Sequence, residues 1–342
     1  MKTTLCTLYN SLYLDKGLVL YDSLKECAKD FELYVLCMDE KCFDVLSEIG
    51  EESLKPIHLA NIEDGRMLEA KNNRSVAEYC WTCSSRLIQY IFETFNPDIC
   101  TYIDADMYFY NDPQILVDEM LKENKSVMMV PHRFTDRNRH MADIVGLYCV
   151  EFNCFKNDKN GLEVLNHWLN NCLECCSNIG DGIHWGDQKY MDEWPILFPD
   201  SVCVCTNLGA GIAPWNIELY KDVNNVDKII IYKQNEIEIP MIFYHFQSLK
   251  YLNRNEVDIC LIKGDPSINY KMVDALYNPY LRKINEYKEK LSINYGINSL
   301  IKIHPSEKYK SVLINKIKSN FIVKSLLAMI RNQKPYIIRI NE

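Results

Sequence analysis

The chain has 342 residues, of which 48% are hydrophobic and 25% are charged, so it has the composition of a globular protein that can bury a sizeable core. Its formal net charge of -9 argues against nucleic acid as the main partner. The charge is uneven, because nine Lys and Arg residues stand against two Glu residues from Lys302 to the end. We expect one large α/β domain followed by a basic extension.

The N-terminus enters a strand directly, without the charged and apolar segments of a signal peptide, so we expect a cytoplasmic location with reduced thiols. The sequence contains no apolar run of eighteen residues, so we predict no membrane-spanning helix. Of the 15 cysteines, those on apolar runs are interpreted as small core residues: Cys6, Cys37, Cys100, Cys149 and Cys260. The pairs Cys80/Cys83 and Cys172/Cys175 have the spacing of zinc ligands, but their helical context without partner His residues makes zinc the less favoured interpretation.

The N-terminal part alternates strands and helices. We predict strands over residues 3–9 and 31–38 and a short one over 57–59, helices over 17–28 and 41–49, and a helical region over 67–95 that breaks near 72–73. Residues 10–16 are predicted to form a polar loop with room for a ligand. This β-α-β-α order predicts a parallel sheet covered by helices on both faces.

An apolar run over residues 99–103 predicts a buried strand that ends in Asp104 and Asp106, with the small Ala105 between them. On an extended chain, residues i and i+2 point the same way, so both carboxylates can converge on one hard cation. Open α/β sheets bind ligands at this end of their strands. A solvated acidic loop is the alternative, but the long apolar run and the helix start at Pro113 favour a metal site.

The second half continues with strands predicted over residues 126–131 and 147–155, the latter with Glu151 and Asn153 on one face. We predict helices over 114–121, 162–176 and 186–195, the last ended by Pro195, and short antiparallel strands over 229–232, 236–239 and 241–245. From residue 265 onward the pattern is helical and basic. We therefore expect a catalytic domain over residues 1–264 and a helical extension over 265–342.

Four features in this order resemble the GT-A fold glycosyltransferases, especially family 8 and its bacterial relatives, over roughly residues 1–260. They are the N-terminal β-α-β-α half, the Asp-x-Asp at a strand end, the Asp187-Gln188 helix start, and the late His245-Phe246 after a strand. The resemblance implies an α/β fold of the GT-A, Rossmann-like type, with a mixed, mostly parallel sheet flanked by helices and a helical C-terminal extension. It also implies metal-dependent sugar transfer from a nucleoside-diphosphate sugar to a glycan or lipid-linked acceptor, as in bacterial surface polysaccharide synthesis.

The resemblance also implies roles for individual residues. In the family, the Asp-x-Asp pair and the late His bind Mn²⁺ or Mg²⁺ on the donor diphosphate, which corresponds here to Asp104, Asp106 and His245. Asp187 and Gln188 are the implied catalytic residues, and the Gln favours retention of configuration. The chain has Lys189 where family 8 has a second Asp, and it lacks the family's Gly and Lys-Pro-Trp after the late His.

Further residues are candidates for binding the donor. Those near the ends of the first two strands are expected at the base and ribose: Thr7, Tyr9, Asn10 and Asp39. Three cations are expected at the phosphates: Lys71, Arg74 and Lys250. Alternatives remain open: Lys71 and Arg74 as solvated helix residues, His245 as a satisfied core residue, Asp187 as a helix cap, and Trp215 as either a core or a sugar-stacking residue.

Rival functions receive less support. Haloacid-dehalogenase phosphatases carry an Asp-x-Asp on the first strand with Thr or Val two residues later, where this chain has Tyr108. A nucleotidyltransferase needs a Gly-rich basic loop after the first strand, which residues 10–16 lack. A non-catalytic carbohydrate-binding protein of the same fold remains an alternative.

The basic extension also has two interpretations. Apolar residues recur at helical spacing beside Lys and Arg from Ile314 to Arg331. This stripe predicts a helix that docks on the catalytic domain, or one that also makes peripheral contact with an anionic membrane.

Overall fold

The computed structural model describes residues 2–178, 184–224, 228–253, 256–298 and 335–340. The strands are β1 Thr3–Tyr9, β2 Phe31–Cys37, β3 Leu54–His58, β4 Ile99–Ile103, β5 Met107–Phe109, β6 Val127–Pro131, β7 Tyr148–Lys156, β8 Val202–Val204, β9 Tyr220–Asn224, β10 Ile229–Tyr232, β11 Ile237–Pro240, β12 Phe243–His245, β13 Lys250–Tyr251, β14 Glu256–Ile262 and β15 Pro335–Arg339. The helices are α1 Leu14–Cys27, α2 Glu40–Ile49, α3 Gly65–Asn72, α4 Val76–Phe95, α5 Gln114–Lys122, α6 Ala142–Val145, α7 Lys159–Glu174, α8 Trp194–Leu197 and α9 Tyr270–Tyr295.

A seven-stranded sheet in the order β3-β2-β1-β4-β7-β6-β8 forms the centre of the molecule. β1 pairs in parallel with β2 and β4, β2 with β3, and β6 with β8, whereas β7 runs antiparallel to both β4 and β6. The prediction of a mixed, mostly parallel sheet is therefore confirmed. β4, which carries the Asp pair at its end, lies in the middle of this sheet.

Helices cover both faces of the sheet, as predicted. One core cluster includes Leu18 of α1, Val45 of α2 and Leu116 of α5. The cluster on the other face includes Ile88 of α4 and Trp168 of α7. The central strands are buried between two apolar layers, which explains the nearly continuous apolar sequences of β2 and β4.

A third core cluster lies beside the sheet. It unites Tyr244 of β12, Val257 of β14 and Tyr277 of α9. α9 also contacts α1, where the Tyr287 hydroxyl donates to Asp22 over 2.6 Å. The helical start of the C-terminal region is thus confirmed, whereas the division at residue 264 stays a prediction.

Several predicted boundaries are wrong. Ser11–Tyr13 is a turn of 3₁₀ helix capped by the Asn10 side chain, and α1 begins at Leu14, so most of the predicted loop is helical. The helix predicted over residues 186–195 is a 3₁₀ turn, Lys189–Glu193, followed by the short α8. Pro195 lies in the first turn of α8, where it needs no hydrogen-bond donor, so it begins a helix instead of ending one.

The C-terminal part of the structure adds a strand that the sequence did not indicate. β15 pairs with β14 in antiparallel fashion, in a small sheet with β13. The apolar stripe predicted between Ile314 and Arg331 lies outside the described residues. None of the helices in the described ranges combines the length and apolar character that crossing a membrane requires.

The cysteines are free thiols, and those predicted to serve as core residues are buried, with one exception. Cys260 is exposed, because β14 is irregular there and the residue has a φ of 60°. The prediction of a core role was therefore wrong for Cys260.

Candidate functional site

Two small strands bring the predicted metal ligands together. Immediately after the Asp pair, β5 pairs with β12, which places His245 opposite Met107. The Phe246 amide then donates to the Asp106 carbonyl over 2.8 Å. The long separation in sequence between the aspartates and the histidine is thus closed by backbone hydrogen bonds.

The side chains of Asp104, Asp106 and His245 converge. His245 Nε2 lies 3.1 Å from Asp106 Oδ1 and 3.7 Å from Asp104 Oδ2. All three possible ligand atoms lie within 4.8 Å of one another. One divalent cation could therefore contact all three groups.

Glu151 on β7 supports the histidine from behind. Its carboxylate is fully buried, and His245 Nδ1 donates to Oε2 over 2.7 Å. This bond fixes the imidazole so that Nε2 faces the Asp pair, the arrangement by which carboxylates orient metal-binding histidines. The sequence pattern placed Glu151 on one face of a strand but gave it no role. A charged residue within an otherwise buried strand was the feature that could have indicated one.

The electrostatics of the cluster favour positive charge. Burial alone would lower the pKa of His245, but Asp106 and Glu151 raise it well above its usual value. Burial raises the pKa of Asp104 to about 6 despite the attraction of His245. Glu151 Oε1 is buried and has no hydrogen-bond partner among the described residues. Two half-buried carboxylates and one buried imidazole, with the buried Glu151 behind the imidazole, therefore fit a hard divalent cation.

A second trio of possible ligands overlaps with the first. Cys149, Glu151 and His245 also lie within 4.8 Å of one another. Burial raises the pKa of the Cys149 thiol, which keeps it protonated and a poor ligand. His245 Nδ1, moreover, is engaged with Glu151. The Asp pair is therefore the better partner for a cation.

Asp187 faces the acid pair from another element. It is 6% exposed, and its carbonyl accepts a hydrogen bond from Trp168 Nε1 over 2.7 Å. Burial, followed by repulsion from Asp104, raises the pKa of Asp187 to about 7. Gln188, rather than Asp187, occupies the N-cap position of the 3₁₀ turn, and it forms no side-chain capping bond. The structure thus does not support the helix-cap interpretation of Asp187.

Gln188 lines a cavity of about 480 Å³ next to this cluster. Its Nε2 donates to the Val145 carbonyl over 2.8 Å. Trp215 lines the same cavity, with its ring centroid 5.5 Å from that of His245 in an edge-to-face contact, while its Nε1 donates to the His132 carbonyl. Trp215 thus packs against the candidate metal ligand and also offers surface to the cavity.

The four residues predicted to bind the base and ribose lie near the ends of β1 and β2. The hydroxyls of Thr7 and Tyr9 are buried and have no partner among the described residues. Asn10 caps the 3₁₀ turn, and Asp39 caps α2 and accepts hydrogen bonds from the amide and hydroxyl of Ser11. The structure brings Asn10 and Asp39 to one edge of the sheet, whereas Thr7 and Tyr9 are buried beneath it.

The three cations predicted at the phosphates are not directed to the Asp pair. Lys71 forms an ion pair with Glu63 over 2.6 Å, and Arg74 donates to the Thr82 hydroxyl and the Leu173 carbonyl. Lys250 is exposed on β13, where it lowers the pKa of Cys260 against the larger effect of burial. Their described partners belong to surface and helix-packing contacts, so sequence spacing alone misplaced these residues.

Comparison with other proteins gives one clear relationship. No protein-family model matches the chain. The uncharacterised protein YfnF of Bacillus subtilis (strain 168) is 30% identical over 302 residues, which cover 86% of this chain and 97% of YfnF. The uncharacterised protein YfnD of the same organism is 29% identical over 289 residues, covering 83% of this chain and 89% of YfnD.

Solved structures with a likeness to this chain include glycosyltransferases. Mouse xyloside xylosyltransferase 1 is 13% identical with a TM-score of 0.46, over 72% of this chain and 98% of that one. The galactosyltransferase LgtC, solved with donor and acceptor sugar analogues, is 14% identical with a TM-score of 0.49, over 72% of this chain and 87% of that one. The extent and identity of the match to YfnF show that the chain belongs to the family of that protein.

Proposed function

We propose that the protein is a metal-dependent glycosyltransferase that takes a sugar from a nucleoside-diphosphate donor. One observation carries this proposal: His245, held by the buried Glu151, joins Asp104 and Asp106 at the carboxyl end of the central strand. Neither a solvated acidic loop nor a satisfied core histidine requires that arrangement. The chemistry of sugar nucleotides does, because negative charge develops on the leaving diphosphate.

The ligand set indicates the kind of cation. Two carboxylates and one imidazole suit Mn²⁺ or Mg²⁺ better than a metal that prefers thiolates. When bound, the cation would supply a Lewis acid for the diphosphate. Asp104, Asp106 and His245 would hold it, and Glu151 would keep the imidazole in its orientation.

The remaining residues lie in two regions, which would bind different parts of the substrates. Asn10 and Asp39, at the ends of β1 and β2, would contact the nucleoside. Gln188 and Trp215, which line the cavity beside His245, would contact the transferred sugar and the acceptor. Since Gln188 is a weak nucleophile that can stabilise positive charge on the sugar, we favour transfer with retention of configuration.

The wider setting is also part of the proposal. We infer a cytoplasmic enzyme of bacterial surface polysaccharide synthesis that acts on a glycan or lipid-linked acceptor. The basic residues between Lys302 and Lys334 would allow peripheral contact with an anionic membrane.

A thermal-shift screen of nucleoside-diphosphate sugars, with and without Mn²⁺, tests the donor class. A ligand present at 100 times its dissociation constant contributes about 2.7 kcal/mol to folding stability, which raises the melting temperature by several degrees. We expect such a shift for one base and sugar, and only with the metal. A chain that melts at the same temperature with every donor would contradict the proposal.

Asp106→Asn tests the metal assignment. We expect a folded protein whose Mn²⁺-dependent donor hydrolysis falls more than about 100-fold, since changes to groups that merely support metal ligands already cost 10- to 100-fold. Asp118→Asn on α5, which changes an exposed carboxylate outside the site, is the matched control. Full activity of Asp106→Asn would show that the Asp pair does not hold the metal.

A further inference from the structure

A group of two buried lysines and two tyrosines interacts electrostatically with Asp106 of the acid pair. The Lys16 ammonium lies 3.7 Å from the centre of the Tyr13 ring and 5.3 Å from that of the Tyr251 ring. The Lys288 ammonium lies 2.9 Å from the centre of the Tyr251 ring. None of these residues belongs to the predicted donor site, and they come from the 3₁₀ turn before α1, from α1, from β13 and from α9.

Both lysines are buried, and Lys288 has little to neutralise its charge. Lys16 is 4% exposed and Lys288 is 6% exposed. The carboxylate nearest to Lys288 is that of Asp15, at 4.0 Å, which is too long for a hydrogen bond. Within the described ranges, neither the Lys288 ammonium nor the buried Tyr251 hydroxyl has a hydrogen-bond partner. Buried groups in this state are costly, so they point to a partner that is not part of the fold.

The group is electrostatically continuous with the candidate metal site. Lys16 is among the positive groups that hold the pKa of Asp106 below its usual value against the effect of burial. Against the lowering effect of Lys16, burial and then Asp106 raise the pKa of Tyr13. Burial is also the largest cause of the raised pKa of Tyr251, to which Asp106 contributes. Lys16 therefore acts on the charge at Asp106, and the Tyr251 ring lies against both Lys16 and Lys288.

We propose that Lys16 and Lys288 form an anion site that binds the phosphate groups of the donor beside the metal. This inference rests on the proposed function, and it replaces Lys71, Arg74 and Lys250 in that role. A diphosphate would supply the acceptors that Lys288 and Tyr251 lack, through charge-assisted hydrogen bonds in partly desolvated surroundings. Because Lys288 lies on α9, the C-terminal region would complete the donor site.

The protonation of Lys288 provides a supporting observation. Burial lowers its pKa to about 7, with Lys16 lowering it further and Asp15 opposing the change. Those two charges and the Tyr251 ring are the groups that face it. An anion that binds there stabilises the charged form, so binding near neutral pH should draw protons from the buffer.

Isothermal titration calorimetry tests the site on the full chain. The probes are inorganic pyrophosphate and nucleoside diphosphates in excess Mg²⁺, at pH 7. We expect Lys16→Met and Lys288→Met each to weaken binding by at least about tenfold, because each removes one charge-assisted contact. Lys290→Met is the matched control, since Lys290 is exposed on the same helix with its ammonium 5.2 Å from the Tyr287 ring.

Two further measurements keep the result unambiguous. Thermal unfolding of each variant shows whether it is folded, and titration of the unaltered chain in buffers of different ionisation enthalpy measures proton uptake without any substitution. Affinities of all three variants equal to that of the unaltered chain would overturn the anion site even if sugar nucleotides bind. If sugar nucleotides do not bind but pyrophosphate affinity still depends on Lys288, the anion site stands and the glycosyltransferase proposal fails.

Discussion

The buried His245–Glu151 pair shows what single residues can and cannot indicate from sequence. The resemblance to GT-A glycosyltransferases, carried by the Asp pair and the late His after a strand, implied that Asp104, Asp106 and His245 meet, as the structure shows. Glu151 could not be assigned, because its role depends on the pairing of β7 with β4. Strand alternation specifies a face, but it does not specify which neighbour lies across that face.

Asp187 should make stability depend on pH in the absence of divalent cations. Its pKa is about 7 in the folded chain, against a usual value of 3.8. Between these values the folded state binds more protons than the unfolded state, so stability is lost as pH rises from about 4 to about 7. At pH 8 the ionised carboxylate costs up to about 4 kcal/mol, at roughly 1.4 kcal/mol for each pKa unit.

We therefore expect Asp187→Asn to raise the melting temperature at pH 8 by several degrees and to have little effect near pH 4. Thermal unfolding in the presence of a chelator at both pH values measures this difference. For Asp118→Asn, at an exposed position, the difference in melting temperature from the unaltered chain should not grow between pH 4 and pH 8. A difference between Asp187→Asn and the unaltered chain that stays constant with pH would contradict the assigned pKa.

At the scale of elements, periodic segments were predictable and transitions between them were not. The break between α3 and α4 was predicted near residues 72–73, and the structure places it between Asn72 and Val76. The turn after Asp187 was misassigned because Pro195 was interpreted as a stop signal. Pro is equally suited to a first helical turn, and only the backbone that precedes it decides between the two positions.

Gln188 illustrates why that transition matters. A 3₁₀ turn, not a long α-helix, follows Gln188, and its side chain reaches the cavity while bonded to the Val145 carbonyl. We expect Gln188→Ala to lower turnover by about 100-fold with little change in donor affinity, as for loss of a group that acts mainly in the transition state.

Steady-state kinetics combined with donor binding would separate these effects. Gln89→Ala is a suitable control, because Gln89 lies on α4 and bonds to Arg86 and Asn166 instead of lining the cavity. Weaker donor binding with unchanged turnover would make Gln188 a ground-state contact.

At the scale of the whole molecule, the C-terminal region is more closely joined to the rest than the sequence indicated. α9 packs on α1, and β15 returns to pair with β14. Neither contact could be predicted. Both join segments that are far apart in sequence, and no local sequence pattern indicates which segments pair. Truncation before residue 299 would remove β15 as well as the basic segment, so it cannot isolate the role of the charges.

Charge substitution gives a cleaner test of membrane contact. We expect the full chain to co-sediment with anionic liposomes at low salt and to release them at high salt. Replacing Lys316, Lys318 and Lys324 by Gln should weaken binding, since each basic residue near an anionic surface contributes about 1 kcal/mol. Equal sedimentation of both proteins would leave the segment without a role in lipid binding.

The irregularity that exposes Cys260 has a practical consequence for chemical labelling. All 15 cysteines lie in the described part of the chain, and Cys260 is the exposed one. Burial raises the pKa of two half-buried thiols, to about 12 for Cys27 and about 11 for Cys80, so little thiolate is available at these two residues near neutral pH. Because Cys260 lines the same cavity as Gln188, a maleimide fluorophore would attach beside the proposed acceptor region without any engineered cysteine. The natural chain thus carries its own attachment point for an optical reporter of cavity occupancy.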